Sequence, residues 1–363
     1  MNETTFKILN VLSRELGKPI SINELTNKIN AIYKKAHYKN IFEEIKTLEK
    51  HGIVKIIQMG KSSGTSLNLE NYLTKNYLGE MEYKNRNNFL QDNQWLNKIF
   101  QEIHLKLNKK GNYFIESALI INPQKNANLN KIELIIFLRN ALTDEEKALE
   151  DTITEKNNDL DLIHKNFNIR IDFLILTQNE FTELVKTIEL NPLKEMLSNK
   201  IMLFGEGNYW LEITNILHEN QVTPQLEELN LQKLGEKSIV YNLNRFGYSE
   251  LGAKITEEKM VCIESIITTT LIQDDKRRIE AIPIILSKAL NGLNRKPNYT
   301  LLAFLCKKYN KTGQILGLLN ALNAIQPNKE TTKTIETLTK LGIKEEKVDK
   351  KNIEQKMRLY NAI

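Results

Sequence analysis

The chain has 363 residues, 41% hydrophobic and 26% charged, with a formal net charge of +6. That length exceeds one typical core, so two or three domains are expected, and no apolar run approaches the roughly 18–20 residues that span a bilayer. Cys262 and Cys306 stand far apart and in no CxxC pair, which argues against a disulfide framework or a structural zinc site and for a reducing, cytoplasmic setting.

The opening, MNETTFKILNVLSREL, reads as a polar lead into an amphipathic helix without the apolar centre of a signal peptide. Phe6, Leu9, Leu12 and Leu16 fall at helical spacing. Ser21 is expected to cap a second helix, INELTNKIN, with Glu24 completing a capping box. A short turn, AIYKKAHY, leads into KNIFEEIKTLEKHGIV, where Ile41, Ile45 and Leu48 form the inward stripe and Gly52 the C-terminal stop. Two alternating strands, IVKIIQM and TSLNLEN, follow, joined through GKSSG.

Helix, helix, turn, helix, hairpin is the order of a winged helix-turn-helix, and EEIKTLEKHGIVKII resembles the recognition-helix-to-wing passage of archaeal and bacterial winged-helix regulators. The resemblance implies binding to double-stranded DNA. Lys34, Lys35, His37, Tyr38, Lys39 and Asn40 would approach the groove and phosphates, with Lys61, Ser62 and Ser63 at the wing tip. Glu43 and Glu44 on the same helix would repel phosphate if they faced it. Winged helices also bind proteins, so a protein-interaction scaffold is the alternative for this segment. The net positive charge permits nucleic-acid binding without establishing it, since a chain rich in Lys, Asn and Ile is also what an AT-rich genome encodes.

A polar stretch, GEMEYKNRNNFLQDN, reads as a linker, placed at 76–92 between a domain at 1–75 and one at 93–215. Then comes a helix through QWLNKIFQEIHLKLNKKG with Trp95, Ile99, Ile103 and Leu107 on one stripe. Strands are expected at 113–123, 131–138 and 169–176, with a charged helical run between the last two and a helix opening at TQNEFTELV. From 94 to 213 this order, and NPLKEMLSNKIMLFGEGNYW above all, resembles the nucleotidyltransferase fold of the polymerase-β superfamily.

That family's chemistry implies a Gly-Ser after the first strand, an acid-x-acid pair holding two magnesium ions on the second, and a third acid on a later strand. Here the first strand ends in INPQKNANLN without Gly-Ser, and the acid pair falls on Lys131 and Glu133. Asp172 matches the third acid. An ammonium within about 4–5 Å of a divalent-ion position repels it by several kcal/mol at an effective dielectric near 20. Lys131 is expected to pair with Glu133 or Asp172 instead, leaving a noncatalytic domain that needs no cofactor. The alternative is an active, magnesium-dependent nucleotidyltransferase acting on RNA or protein through Glu133, Asp172 and a third carboxylate such as Glu116. The motifs GxSxG and HExxH are absent, and the five histidines are scattered.

Residues 216–363 read as a helical domain. ITEEKMVCIESIITTTL is expected to start at a Thr256 cap, and Pro283 sits near a helix start or kink. Lys276, Arg277 and Arg278 form a basic cluster beside Asp274 and Asp275. The passage 278–319 resembles the helical part of some archaeal proteins and AbiEi-type antitoxin relatives, which implies a partner-protein surface; the mixed-charge tail is expected to be exposed or to form a homodimer. The whole is a multidomain α+β reading: winged helix, nucleotidyltransferase-like α/β domain, helical bundle, in a DNA-binding transcriptional regulator of antitoxin-like type.

Overall fold

The computed structural model describes residues 1–16, 18–60, 62–108, 114–124, 131–142, 145–220, 229–293 and 295–363. They form a mixed α+β chain with two small sheets and a helical C-terminal region. No helix among them is long and apolar enough to cross a membrane. Two units are present, one of residues 1–187 with 193–226, the other of residues 188–192 with 227–363.

At the N-terminus, α1 (Glu3–Leu12) is capped by the Asn2 side chain, which accepts from Thr5 N at 2.8 Å. A two-residue strand, β1 (Ile20–Ser21), leads into α2 (Ile22–Tyr33). Ser21 accepts from Glu24 N as the cap, while the Glu24 carboxylate pairs outward with Lys28 at 3.4 Å. The following turn is closed by Asn30, whose side chain donates to Ala36 O and accepts from Ala36 N. Then come α3 (Tyr38–Lys50), β2 (Val54–Met59) and β3 (Ser62–Leu67), the strands forming a sheet in the order β1-β3-β2. The third strand therefore starts three residues before the TSLNLEN run, because Ser62 pairs with Met59 immediately across the turn.

α3 stops for a defined reason. Gly52 has φ +71, its N–H bonds to Glu49 O, and Ile53 N–H bonds to Leu48 O, the two closures of a Schellman motif. A Cβ on Gly52 would lie 2.6 Å from Asn71 Nδ2, the same amide that donates to His51 O and Gly52 O. Gly52→Ala is expected to cost about 1–2 kcal/mol, combining left-handed strain with this crowding. Chemical denaturation with an unchanged m-value checks it; an unchanged midpoint would contradict it.

Residues 76–92 are not a linker. They belong to α4 (Tyr72–Asp92), and 1–75 falls in the same unit as 93–187 and 193–215. Only Thr74, Leu78, Met81, Glu82 and Phe89 of α4 are buried, and polar bonds add to their packing. Asn85 exchanges side-chain hydrogen bonds with Asn10 of α1.

Beyond α4 lie a short 3-10 turn, α5 (Asn97–Leu107), β4 (Ile115–Ile121), β5 (Lys131–Leu138), α6 (Glu146–Phe167) and β6 (Arg170–Thr177). α7 (Gln178–Lys186), α8 (Pro192–Ser198), β7 (Lys200–Phe204) and α9 (Glu206–Asn220) complete this unit. α9 thus runs past the expected boundary at 216. The sheet order is β6-β5-β4-β7, with β5–β6 parallel and the other pairs antiparallel. Trp95 departs from its expected stripe: it sits in the 3-10 turn and is exposed, whereas Ile99, Ile103 and Leu107 are buried.

Alternation along the strands divides the sheet into two faces. Ile132, Leu134, Ile136 and Leu138 pack with Ile99, Ile103 and Leu107 of α5 and Leu160 and Ile163 of α6. Each such side chain contributes roughly 1.5–3 kcal/mol by burial. The opposite face carries Lys131, Glu133, Ile135 and Phe137, and Phe137 meets the rings of Phe181 from α7 and Tyr209 from α9. Arg86 on α4 donates to Met202 O and Leu203 O of the edge strand β7 and pairs with Glu206 at 2.7 Å. A guanidinium on open edge carbonyls is one way an edge strand is protected.

The second unit contains α10 (Glu236–Arg245), α11 (Ile263–Gln273), α12 (Lys276–Ile279), α13 (Ile282–Leu290), α14 (Tyr299–Lys308), α15 (Thr312–Ile325), α16 (Lys329–Lys340) and α17 (Lys350–Leu359). Segment 188–192 joins it through Leu190, which forms a parallel bridge with Val261. Glu189 pairs with Arg245 at 2.6 Å. Thr256 starts no helix; residues 255–260 form neither helix nor strand, Val261 enters that bridge, and α11 begins at Ile263 after Cys262. Pro283 lies in the first turn of α13, where its missing N–H costs nothing. The tail is not wholly exposed either, since Ile353 and Met357 of α17 are fully buried.

Candidate functional site

The first candidate is the outer face of α3. Ile41, Ile45 and Leu48 turn inward at 2%, 0% and 3% exposure. On a helix of about 3.6 residues per turn, the opposite line is Lys39, Glu43, Lys46 and Lys50, all exposed. Lys34, Lys35, His37, Tyr38 and Asn40 are exposed at the entrance to the helix. Lys34 occupies a left-handed position, φ 59, that ends α2, and His37 stands at the N-cap without a side-chain cap bond. Tyr38 stacks on Phe42 at 6.0 Å, and Lys46 Nζ lies 4.5 Å from the Phe42 ring centre. Ser62 and Ser63 are exposed on β3, and Lys61 lies outside the described residues.

The two glutamates behave differently. Glu44 is half-buried and accepts hydrogen bonds from Asn2 Nδ2 and Thr5 Oγ1 of α1, so it is withdrawn from the outer face. Glu43 stays on it. Lys46 and Lys50 lie beyond the cluster at the helix start that local charge singles out. The inward stripe alone places them: any residue about half a turn from Ile41, Ile45 and Leu48 must face out.

The second candidate is the carboxylate cluster at one end of the four-stranded sheet. Parallel register sets Lys131 beside Arg170 and Glu133 beside Asp172. Lys131 Nζ lies 2.7 Å from Glu133 Oε1 and 2.9 Å from Asp172 Oδ2, so it pairs with both acids. Arg170 Nε adds a contact to Asp172 Oδ2 at 3.1 Å. Glu133 is 2% exposed and Asp172 0%. Burial alone would raise the Asp172 pKa, but the hydrogen bond and charge of Lys131, helped by Arg170, hold it below its ordinary 3.8. Two carboxylates face two cations, and the cluster is neutral as it stands.

This arrangement does not fit a divalent ion. The ammonium already sits between the two carboxylates, where a bridging cation would bind. A second, divalent charge about 4 Å from it would be repelled by roughly 8 kcal/mol at an effective dielectric near 20. Glu116 does not supply the missing acid. It lies on β4 beside the register of Leu138, whereas Glu133 is opposite Ile121, five residues along and roughly 17 Å away. There burial, then the charge of Glu212, raises the Glu116 pKa. Among the described residues, no three His, Cys, Asp or Glu side chains are placed to hold a metal ion.

The remaining sequence candidates have structural partners. Gly205, in the FGEG run, has φ +75, and a Cβ there would lie 2.1 Å from Glu116 O, so close backbone approach accounts for it. Arg278 is 6% exposed and clasped by Glu236 and Glu250, which removes it from the basic cluster offered to phosphate. His104 packs edge-on against Phe204, and His164 Nδ1 lies 2.6 Å from Ile169 O. Compared with protein-family models, with curated proteins and with solved structures, the chain matches none.

Proposed function

We propose that this protein is a regulator that binds double-stranded DNA through α3, and that its four-stranded sheet is a nucleotidyltransferase-like frame without catalysis. The element order α1-β1-α2-α3-β2-β3 and the tight turn between α2 and α3 support a winged helix-turn-helix. The observation that carries the reading is the line of exposed lysines on α3, Lys39, Lys46 and Lys50, next to exposed Lys34 and Lys35. Such a line matches the charge of a phosphate backbone, while Tyr38 and Asn40 at the helix start offer base-edge contacts.

For the sheet region, the neutral Lys131–Glu133–Asp172 cluster supports a frame that has lost its metal ions. The helical region is the proposed partner-protein or self-association surface, in keeping with autoregulation in an antitoxin-like system. Fluorescence anisotropy with a labelled mixed-sequence duplex tests the DNA reading; affinity that does not weaken with salt would sink it. The same sample incubated with magnesium and labelled nucleoside triphosphates should label neither RNA nor protein, and incorporation would restore the enzyme.

A further inference from the structure

Glu43 stands in the middle of the lysine line on α3. It follows Lys39 by four residues and precedes Lys46 by three, so the outward face reads plus, minus, plus, plus. It is exposed, and no ion pair holds it among the described residues. Its neighbour Glu44 shows the alternative, a carboxylate turned inward onto Asn2 and Thr5. On a surface built only to grip phosphate, an outward carboxylate at the centre is unfavourable, because phosphate offers no donor and carries the same charge.

We infer that Glu43 is a base-reading residue that selects cytosine on the contacted strand; this rests on the duplex-DNA reading above. In the major groove the hydrogen-bond donors are the exocyclic amino groups of cytosine and adenine. The adenine amino group lies between two acceptors, its own N7 and the thymine O4, which repel a carboxylate, whereas the cytosine N4–H₂ has an acceptor, guanine O6, on one side only. Glu43 therefore gains a partner only over a G·C pair in one orientation, and it penalises every other register of the lysine line. It converts general phosphate affinity into selectivity.

The test uses the full chain, Glu43→Ala and Glu43→Gln, with alternating dG·dC and alternating dA·dT duplexes of equal length at one salt concentration. Glu43→Ala is expected to bind the dA·dT duplex several-fold more tightly than wild type, and the preference for dG·dC to fall about tenfold. Glu43→Gln should move the preference toward dA·dT, since a carboxamide pairs with adenine N6 and N7. Circular dichroism should show both variants folded, as Glu43 is exposed. If both substitutions change the two affinities by one common factor, Glu43 is only part of the general field and the inference fails while the DNA reading stands. If wild type binds neither duplex, the DNA reading fails and takes the inference with it.

Discussion

Lys131→Ala is expected to lower folding stability by about 3–5 kcal/mol near pH 8, the cost of removing one partner from a buried ionic group. The substitution leaves Glu133 and Asp172 side by side on neighbouring strands, both almost fully buried, with Arg170 as the cation beside Asp172. Two carboxylates in that position raise each other's folded-state pKa. A raised acid pKa penalises the folded state most at high pH, so stability should recover as pH falls toward about 5 and one carboxyl takes a proton. Wild type should behave oppositely. The depressed Asp172 contributes stability above its ordinary 3.8, and that contribution is lost as pH falls through the lower folded value. Thermal or urea denaturation from about pH 8 down to below 3.8 reads both slopes. Equal pH dependence in the two proteins would mean that Lys131 does not hold the carboxylates in solution.

Replacing Lys39, Lys46 and Lys50 together with alanine is expected to weaken duplex binding by roughly 10²–10³-fold near 0.1 M salt. Each phosphate contact releases about 0.9 counterion, so three lost contacts should flatten the salt slope by nearly 3. The three side chains are exposed, and none belongs to the buried stripe of α3; alanine is also a better helix former than lysine. The folded state should therefore survive, as near-wild-type thermal unfolding would confirm. An unchanged slope would place the nucleic-acid contact elsewhere. Loss of affinity without a change in slope would point to a contact that does not involve phosphate.

The parts of this fold that follow from local pattern are legible in the sequence. β5 spans the expected 131–138 because its continuous apolar run is that of a strand covered on both faces. Ile41, Ile45 and Leu48 appear on the buried side of α3 because a three-four spacing leaves no other helical arrangement. The juxtaposition of Lys131 with Glu133 needs only two residues of one strand.

What the sequence conceals is held by distant polar bonds. α4 resembles a linker because its apolar residues are sparse, yet Glu82 meets Lys200 at 3.0 Å and Arg86 meets carbonyls of β7 more than 100 residues away. No local periodicity announces such partners. The start of α11 is concealed for a similar reason: Leu190, about 70 residues earlier, bridges to Val261, and the helix starts only beyond it, whatever Thr256 would prefer as a cap. Charge on an amphipathic helix hides its direction in the same way, as Glu43 and Glu44 show. Adjacent in sequence and identical in chemistry, they differ because Asn2 and Thr5 reach only one of them.

The most direct measurement is the affinity of the full chain for a mixed-sequence duplex as salt rises from about 50 to about 200 mM. With Lys34, Lys35, Lys39, Lys46 and Lys50 on phosphates, log K should fall linearly against log salt with a slope of roughly −4 to −5. A slope indistinguishable from zero, or no binding at the lowest salt, would contradict the account and leave α3 as a surface for some other partner.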